Sequence, residues 1–272
     1  MWNYRETGKG RPLVLLHGIG MSHAAWAAVT PYLSPTRRVI AFDTAGFGMT
    51  PTLPDGVLPT VSNLVDGLCE SIREMGLGVP VDIAGNSLGG LMALEAATRG
   101  IARTVVAISP AGLWHTRPPR HVRYVLKGMR FAARHFTETL KAAVETPWIR
   151  ECVFAVPLSV GSRRMPARDA HRALDDLAMC PALNETFEHT RAPFPGGDIT
   201  VPVTVAFGDH DWILPRWSRR RTALPPHTRW TEPRGWGHVP MWADPAGVSR
   251  LILEGTSCSC ERRNSPQRTP NR

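Results

Sequence analysis

The chain has 272 residues, 43% of them hydrophobic, enough for one large α/β core with room for an insertion. No uninterrupted apolar run reaches the ~18 residues of a membrane span, and the five cysteines show no obvious disulfide framework. The net charge of +9 sits mainly in residues 113–196, with thirteen Lys/Arg against eight Asp/Glu, and in 256–272, with four Arg against one Glu; without a recognition pattern beside it, this charge reads as a solvated surface and a loose tail, not a nucleic-acid site.

The opening Met1 to Gly10 has no hydrophobic signal core, so a cytoplasmic location is expected. The apolar run Leu13–Leu16 predicts a first strand, and the loop His17-Gly18-Ile19-Gly20 follows it. A second strand is expected at Val39–Phe42, then Asp43-Thr44-Ala45-Gly46-Phe47-Gly48, then a helix over Val61–Met75. Val81–Ala84 reads as a third strand running straight into Gly85-Asn86-Ser87-Leu88-Gly89-Gly90. Helix Leu91–Thr98 and strand Thr104–Ile108 follow. Alternating strands and helices predict an α/β fold: a mostly parallel central sheet with helices on both faces.

The alternation breaks from about Gly112 to Pro202. Val122, Val125, Leu126, Met129, Ala133 and Phe136 recur at helical spacing, with Arg123, Lys127, Arg130 and Arg134 between them. The apolar stripe is expected to pack on the rest of the protein, in preference to lying on a membrane. The stretch reads as a helical insertion with Arg191–Gly197 as its return linker. Two strands, Val203–Phe207 and about Thr228–Thr231, complete the pattern, and a polar tail from about Thr256 is expected to be disordered. The resulting organisation is a core of 1–112 and 197–255, an insertion of 113–196 and a tail of 256–272.

Gly85-Asn86-Ser87-Leu88-Gly89 is the Gly-x-Ser-x-Gly pattern of a strand-to-helix elbow. The glycines remove Cβ atoms that would collide in so sharp a turn, and the serine projects from it. A serine hydroxyl needs a base to take its proton, and the base needs an orienting carboxylate. Both follow in chain order: Asp211 in Gly208-Asp209-His210-Asp211, then His238 in Gly237-His238-Val239-Pro240. Each ends a strand, where α/β sheets gather their sites. Among ten histidines, His238 is chosen because it sits in a Gly-rich loop after a strand; His210, His115, His121, His135, His171 and His189 read as loop, surface or packing residues. Asp211 is preferred to Asp209, which is expected to brace the loop. Backbone N–H groups of Leu88 and Ile19 are the expected oxyanion donors, and His17 is expected to hold its loop by hydrogen bonds.

These motifs together resemble the α/β-hydrolase fold family, of the esterase and lipase-like kind with a helical cap. The resemblance spans nearly all of residues 3–254. It implies the triad Ser87, Asp211 and His238, the oxyanion donors Ile19 and Leu88, and a cap made by residues 113–196. The loop after Asp43 departs from it, with Thr44-Ala45 where relatives often carry an apolar residue and Pro. Serine at position 87 argues against the dehalogenases and epoxide hydrolases of the fold, which use aspartate there.

The expected activity is carboxylic-ester hydrolysis of short to medium acyl chains through an acyl-enzyme, with a small-molecule ester as partner. No cofactor, metal, nucleic acid or stable membrane anchor is expected. Carbon–carbon bond hydrolysis of a ring-cleavage product is the alternative, with Arg117, Arg120 or Arg191 pairing with an acidic substrate. A non-catalytic ligand-binding member of the fold is the third reading. Trp26, Trp114, Trp148 and Met92 are candidate wall residues. Cys69, Cys152 and Cys180 are expected to be buried hydrophobes, and Cys258 and Cys260 form Cys-x-Cys without a second ligand cluster for a metal site.

Overall fold

A computed structural model of the chain describes residues 1–155, 158 and 160–257. Seven strands form one sheet: β1 (Tyr4–Thr7), β2 (Arg11–Leu16), β3 (Arg37–Phe42), β4 (Val81–Asn86), β5 (Ala102–Ile108), β6 (Val203–Ala206) and β7 (Arg229–Thr231). Their order is β1-β3-β2-β4-β5-β6-β7. All pairs are parallel except β1 with β3. β1 is absent from the sequence reading because its four residues, Tyr-Arg-Glu-Thr, carry no apolar alternation and lie half exposed at the sheet edge.

The sheet is buried on both faces, which is why its strands are near-continuous apolar runs. Val14, Leu16, Ile40, Phe42, Ile83 and Val105 point to one face, packed against α2 (Val61–Glu74) and α3 (Leu88–Thr98). Leu13, Leu15, Val39, Ala41, Ala84 and Val106 point to the other, packed with residues of α1 (Thr30–Leu33) and of the last helix (Pro245–Thr256). Between β5 and β6 the chain builds α4 (Arg120–His135), α5 (Thr137–Val144), α6 (Pro147–Ala155), α7 (Ala167–Met179) and α8 (Leu183–His189), so the last helix is α9. Of the expected α4 stripe, Val122, Leu126 and Ala133 are buried and Val125 and Met129 half-buried, whereas Phe136 is exposed, because it stands at the C-cap where the helical spacing ends.

Three expectations are corrected. α3 begins at Leu88 and not Leu91, because the glycines that hide its first turn from an apolar-pattern reading are what let it start directly at the elbow. Thr256 belongs to α9 and not to the tail: it is fully buried, and its hydroxyl accepts a hydrogen bond from Arg37 at 2.7 Å. Cys152 is exposed and Cys69 half-buried, so among the described residues Cys180 alone is a buried thiol, its pKa pushed up to about 11 by burial. The Cys258 and Cys260 reading, and the tail from residue 258, lie outside the described residues. Among the described residues no helix is long and apolar enough to cross a membrane.

Candidate active site

The chain turns outward from β2 to β3 and then crosses back to β4, so β2 and β4 flank a topological switch point, where α/β sheets open a crevice. Parallel pairing sets Leu16 opposite Gly85. The loops leaving both strands, His17–Gly20 and Asn86–Gly90, therefore emerge side by side.

Ser87 has φ 53° and ψ −112°, a left-handed backbone that a non-glycine residue adopts only when its surroundings over-determine it. Here they do. Its N–H donates to the Ile108 carbonyl at 2.9 Å, and its carbonyl accepts from the N–H groups of Leu91 and Ala111 at 3.0 Å each. Gly85 and Gly89 make the turn sterically possible: a Cβ on Gly85 would overlap the Gly89 carbonyl, and one on Gly89 would overlap the Leu16 carbonyl. Ser87 is the N-cap of α3, so the positive end of that helix lies at its side chain.

His17 fixes the neighbouring loop. Thr44 N–H donates to His17 Nε2 at 3.0 Å, so the proton is on Nδ1, which donates to the Gly18 carbonyl at 2.7 Å. Complete burial depresses the His17 pKa and keeps the ring neutral, as these two bonds require. Behind it, Asp43 accepts from the N–H groups of His23 (2.6 Å) and Met49 (2.9 Å), from the His23 ring and from Asn3. Burial would raise its pKa, but these bonds outweigh it and hold the carboxyl well below the usual range.

The other two loops leave β6 and β7. Asp211 is buried, and each of its oxygens lies 3.1 Å from His238 Nδ1. Leu214 N–H donates to it at 2.9 Å. Burial pushes the Asp211 pKa up, but the charge and hydrogen bond of His238 and the Leu214 N–H prevail and lower it; the Ser109 hydroxyl adds to this from close by, outside hydrogen-bond geometry. Asp209 accepts instead from Gly235 N–H at 2.7 Å and from His210, and so braces one loop against the other. A Cβ on Gly208 would overlap the Trp236 carbonyl, so the two loops meet backbone to backbone.

Ser87, Leu88, Ile19, Gly18 and His238 all line one cavity. Its remaining walls are mostly apolar, with Val122 and Leu126 of α4, Phe187 of α8, and Trp114, Leu158 and Leu214 among them. An apolar wall with a few polar groups converging at Ser87 and His238 suits a small organic substrate. Of the candidate wall residues, Trp114 stands in this lining. Trp26 and Met92 do not: both are completely buried in the core on opposite faces of the sheet, because each follows its loop or elbow by enough residues to have turned inward. Trp148 is 67% exposed on α6, with the Arg163 guanidinium 5.0 Å over its ring. Arg191 lines the cavity and pairs with Glu188 at 2.8 Å, whereas Arg117 and Arg120 are exposed and outside it. Among the described residues no group of three His, Cys, Asp or Glu could hold a metal ion.

Three positioning residues escape the sequence reading. Asn86 Nδ2 donates to the carbonyls of Ile108 (3.1 Å) and His238 (2.9 Å). Ser109, with φ 46°, turns the chain beside Asp211. The Arg219 guanidinium stacks over Phe207 at 4.5 Å and donates to the Leu214 and Gly208 carbonyls at 2.7 and 3.3 Å, clamping the Asp211 loop. Only Asn86, inside the elbow motif, carried a signal that a reader of the sequence could have used.

The model of the alpha/beta hydrolase family matches residues 13–251. "Epoxide hydrolase EphH" of Mycobacterium tuberculosis is 33% identical over 200 residues, 70% of this chain and 91% of that protein. A "Pimeloyl-[acyl-carrier protein] methyl ester esterase" of Aromatoleum aromaticum is 29% identical over 256 residues, 88% of this chain and 96% of that protein. Among solved structures, the meta-cleavage product hydrolase of Pseudomonas fluorescens superposes with a TM-score of 0.67 at 18% identity, covering 96% of this chain and 94% of its own, a likeness of fold alone.

Proposed function

The chain belongs to the alpha/beta hydrolase family, and on that premise we propose that it is a serine hydrolase of carboxylic esters with short to medium acyl chains. The observation that carries this reading is the bond between His238 Nδ1 and both Asp211 oxygens, 3.1 Å each, with His238 and Ser87 in the wall of one apolar cavity.

In this reading His238 Nε2 takes the Ser87 proton as Oγ attacks the ester carbonyl. The N–H groups of Ile19 and Leu88 receive the oxyanion, Leu88 at the positive end of α3. Asp211 holds the imidazole in the tautomer with its proton on Nδ1 and balances the imidazolium that forms. His238 then gives its proton to the leaving alkoxide. Water, deprotonated by the same nitrogen, attacks the acyl-enzyme, and the collapse returns the proton to Ser87.

The relative named an epoxide hydrolase poses a chemical alternative that Ser87 disfavours. A serine opening an epoxide would leave an ether, with no carbonyl for water to attack. A serine acylated by an ester leaves an ester, which water can cleave. Cleavage of a carbon–carbon bond next to a ketone is the second reading. Arg191 supports it: a guanidinium in the cavity wall can pair with a substrate carboxylate.

The test is a p-nitrophenyl ester series of rising acyl length, on the protein and on Ser87→Ala. Activity peaking at short to medium chains and lost in the variant is expected; wild-type rates no better than the variant's on every ester would defeat the reading.

A further inference from the structure

Helix α4 has two faces, and only one is accounted for. Its inner residues Val122 and Leu126 form part of the cavity wall. On the opposite side of the helix, Arg120, Tyr124, Lys127, Phe131 and Arg134 recur at steps of three and four and are all exposed. Tyr124 is 73% exposed, Phe131 60% and Phe136, at the C-cap, 54%. Phe131 packs its ring on His135 at 4.4 Å and on Phe136 at 6.4 Å, so the aromatic groups form a cluster at one end of the helix.

The charge on this face is one-sided. Residues 120–135 contain no Asp or Glu. The one ion pair that α4 makes with a described residue is Arg123 to Glu188 at 3.3 Å; among the described residues no carboxylate is in ion-pair range of Arg120, Lys127 or Arg134. A water-facing helix ordinarily interleaves both signs of charge and keeps phenylalanine inside. Cations interleaved with exposed aromatics along ~24 Å of one helix are the composition of a surface resting at a lipid headgroup layer, where rings enter the acyl boundary and Lys and Arg meet anionic phosphates.

We propose that the outward face of α4 docks this protein on anionic phospholipid surfaces, as a peripheral contact and not an anchor. An acidic protein or a nucleic acid would use the cations equally; lipid is favoured because the two phenylalanines stand exposed beside them, and an acyl boundary takes such rings without a matching pocket. The docking stands apart from the ester reading. Its consequence rests on that reading: the helix at the lipid surface is also a wall of the cavity that Ser87 lines, so esters partitioned into a membrane would be presented beside that cavity.

The experiment is vesicle co-sedimentation of the full chain, with phosphatidylcholine alone and with one quarter phosphatidylglycerol, between 50 and 500 mM NaCl. The protein is expected to bind the anionic vesicles at least tenfold more tightly, and to lose the difference at high salt. At about fivefold per cation, Lys127→Glu/Arg134→Glu should weaken binding by at least about 25-fold. Phe131→Ser/Phe136→Ser should weaken it severalfold even at low salt. Both variants should keep the wild-type circular dichroism and melting behaviour, a readout that does not depend on hydrolysis. Failure of the wild type to bind, equal binding to neutral vesicles, or wild-type binding by the charge variant would each overturn the proposal. Loss in the charge variant with none in the phenylalanine variant would also overturn it, assigning the face to a soluble polyanion.

Discussion

The side-chain amide of Asn86 donates to the backbone carbonyl of His238 at 2.9 Å, tying the residue before the nucleophile to the proposed base. The same amide holds the Ile108 carbonyl, so one buried group joins the loops of three strands. Asn86→Ala leaves two buried carbonyls without this donor, which should cost about 1–3 kcal/mol of stability. With the His238 loop released, kcat should fall roughly 10- to 100-fold with a smaller change in KM. Asn86→Asp, which cannot donate, should behave no better. Urea unfolding and ester kinetics on both variants check this.

Stability should fall on acidification in two stages. His17 is buried neutral with a depressed pKa, whereas in the unfolded chain it binds a proton below about pH 6.5. The unfolded state therefore gains protons first, and stability starts to drop there. Asp43 and Asp211 have lowered pKa values, so their contribution is complete above about pH 4, the unfolded carboxyl value, and is lost as pH falls through their folded values. Denaturant midpoints from pH 7 to 3 should show both steps, and Asp43→Asn should flatten the lower one.

Gly89→Ala places a methyl on the Leu16 carbonyl, which β-sheet pairing prevents from moving. The elbow cannot re-form around it, so the variant should lose activity and more than about 2 kcal/mol of stability. Gly76→Ala is the contrasting control: it has open space around it, and only its positive φ, 66°, opposes the change, at a cost of about 1 kcal/mol. Thermal melts of the two should differ accordingly.

Arg191 separates the two reactions. On the ester reading, Arg191→Gln should leave kcat/KM for neutral esters within about twofold, because a half-exposed guanidinium paired with Glu188 has nothing to grip on an uncharged substrate. On the carbon–carbon reading it should cost about 10-fold or more with a dienoate ketone, through a lost charge-assisted hydrogen bond. Parallel kinetics on both substrate types decide.

The sheet and the loops at its carboxyl edge were legible because they are local. Four apolar runs each end in a glycine-rich segment, and that punctuation survives in one dimension. The apolar run to Pro215 and the spacing from Gly208 distinguish Asp211 from Asp209 in the sequence; in the structure the two carboxylates have separate partners, His238 and Gly235. The walls were not legible. Trp26 and Trp114 look alike in sequence, yet one is sealed in the core and the other faces the cavity, since that depends on how distant helices close over the site. Ser109 and Arg219 were invisible for the same reason: they act on the Asp211 loop from other parts of the chain.

The most direct measurement is peptide-mapping mass spectrometry of the protein acid-quenched during turnover of p-nitrophenyl butyrate. A butyryl adduct on the peptide carrying Ser87, absent from Ser87→Ala, is the predicted result. Turnover that proceeds with no acylated peptide, and at the same rate in Ser87→Ala, would contradict the account.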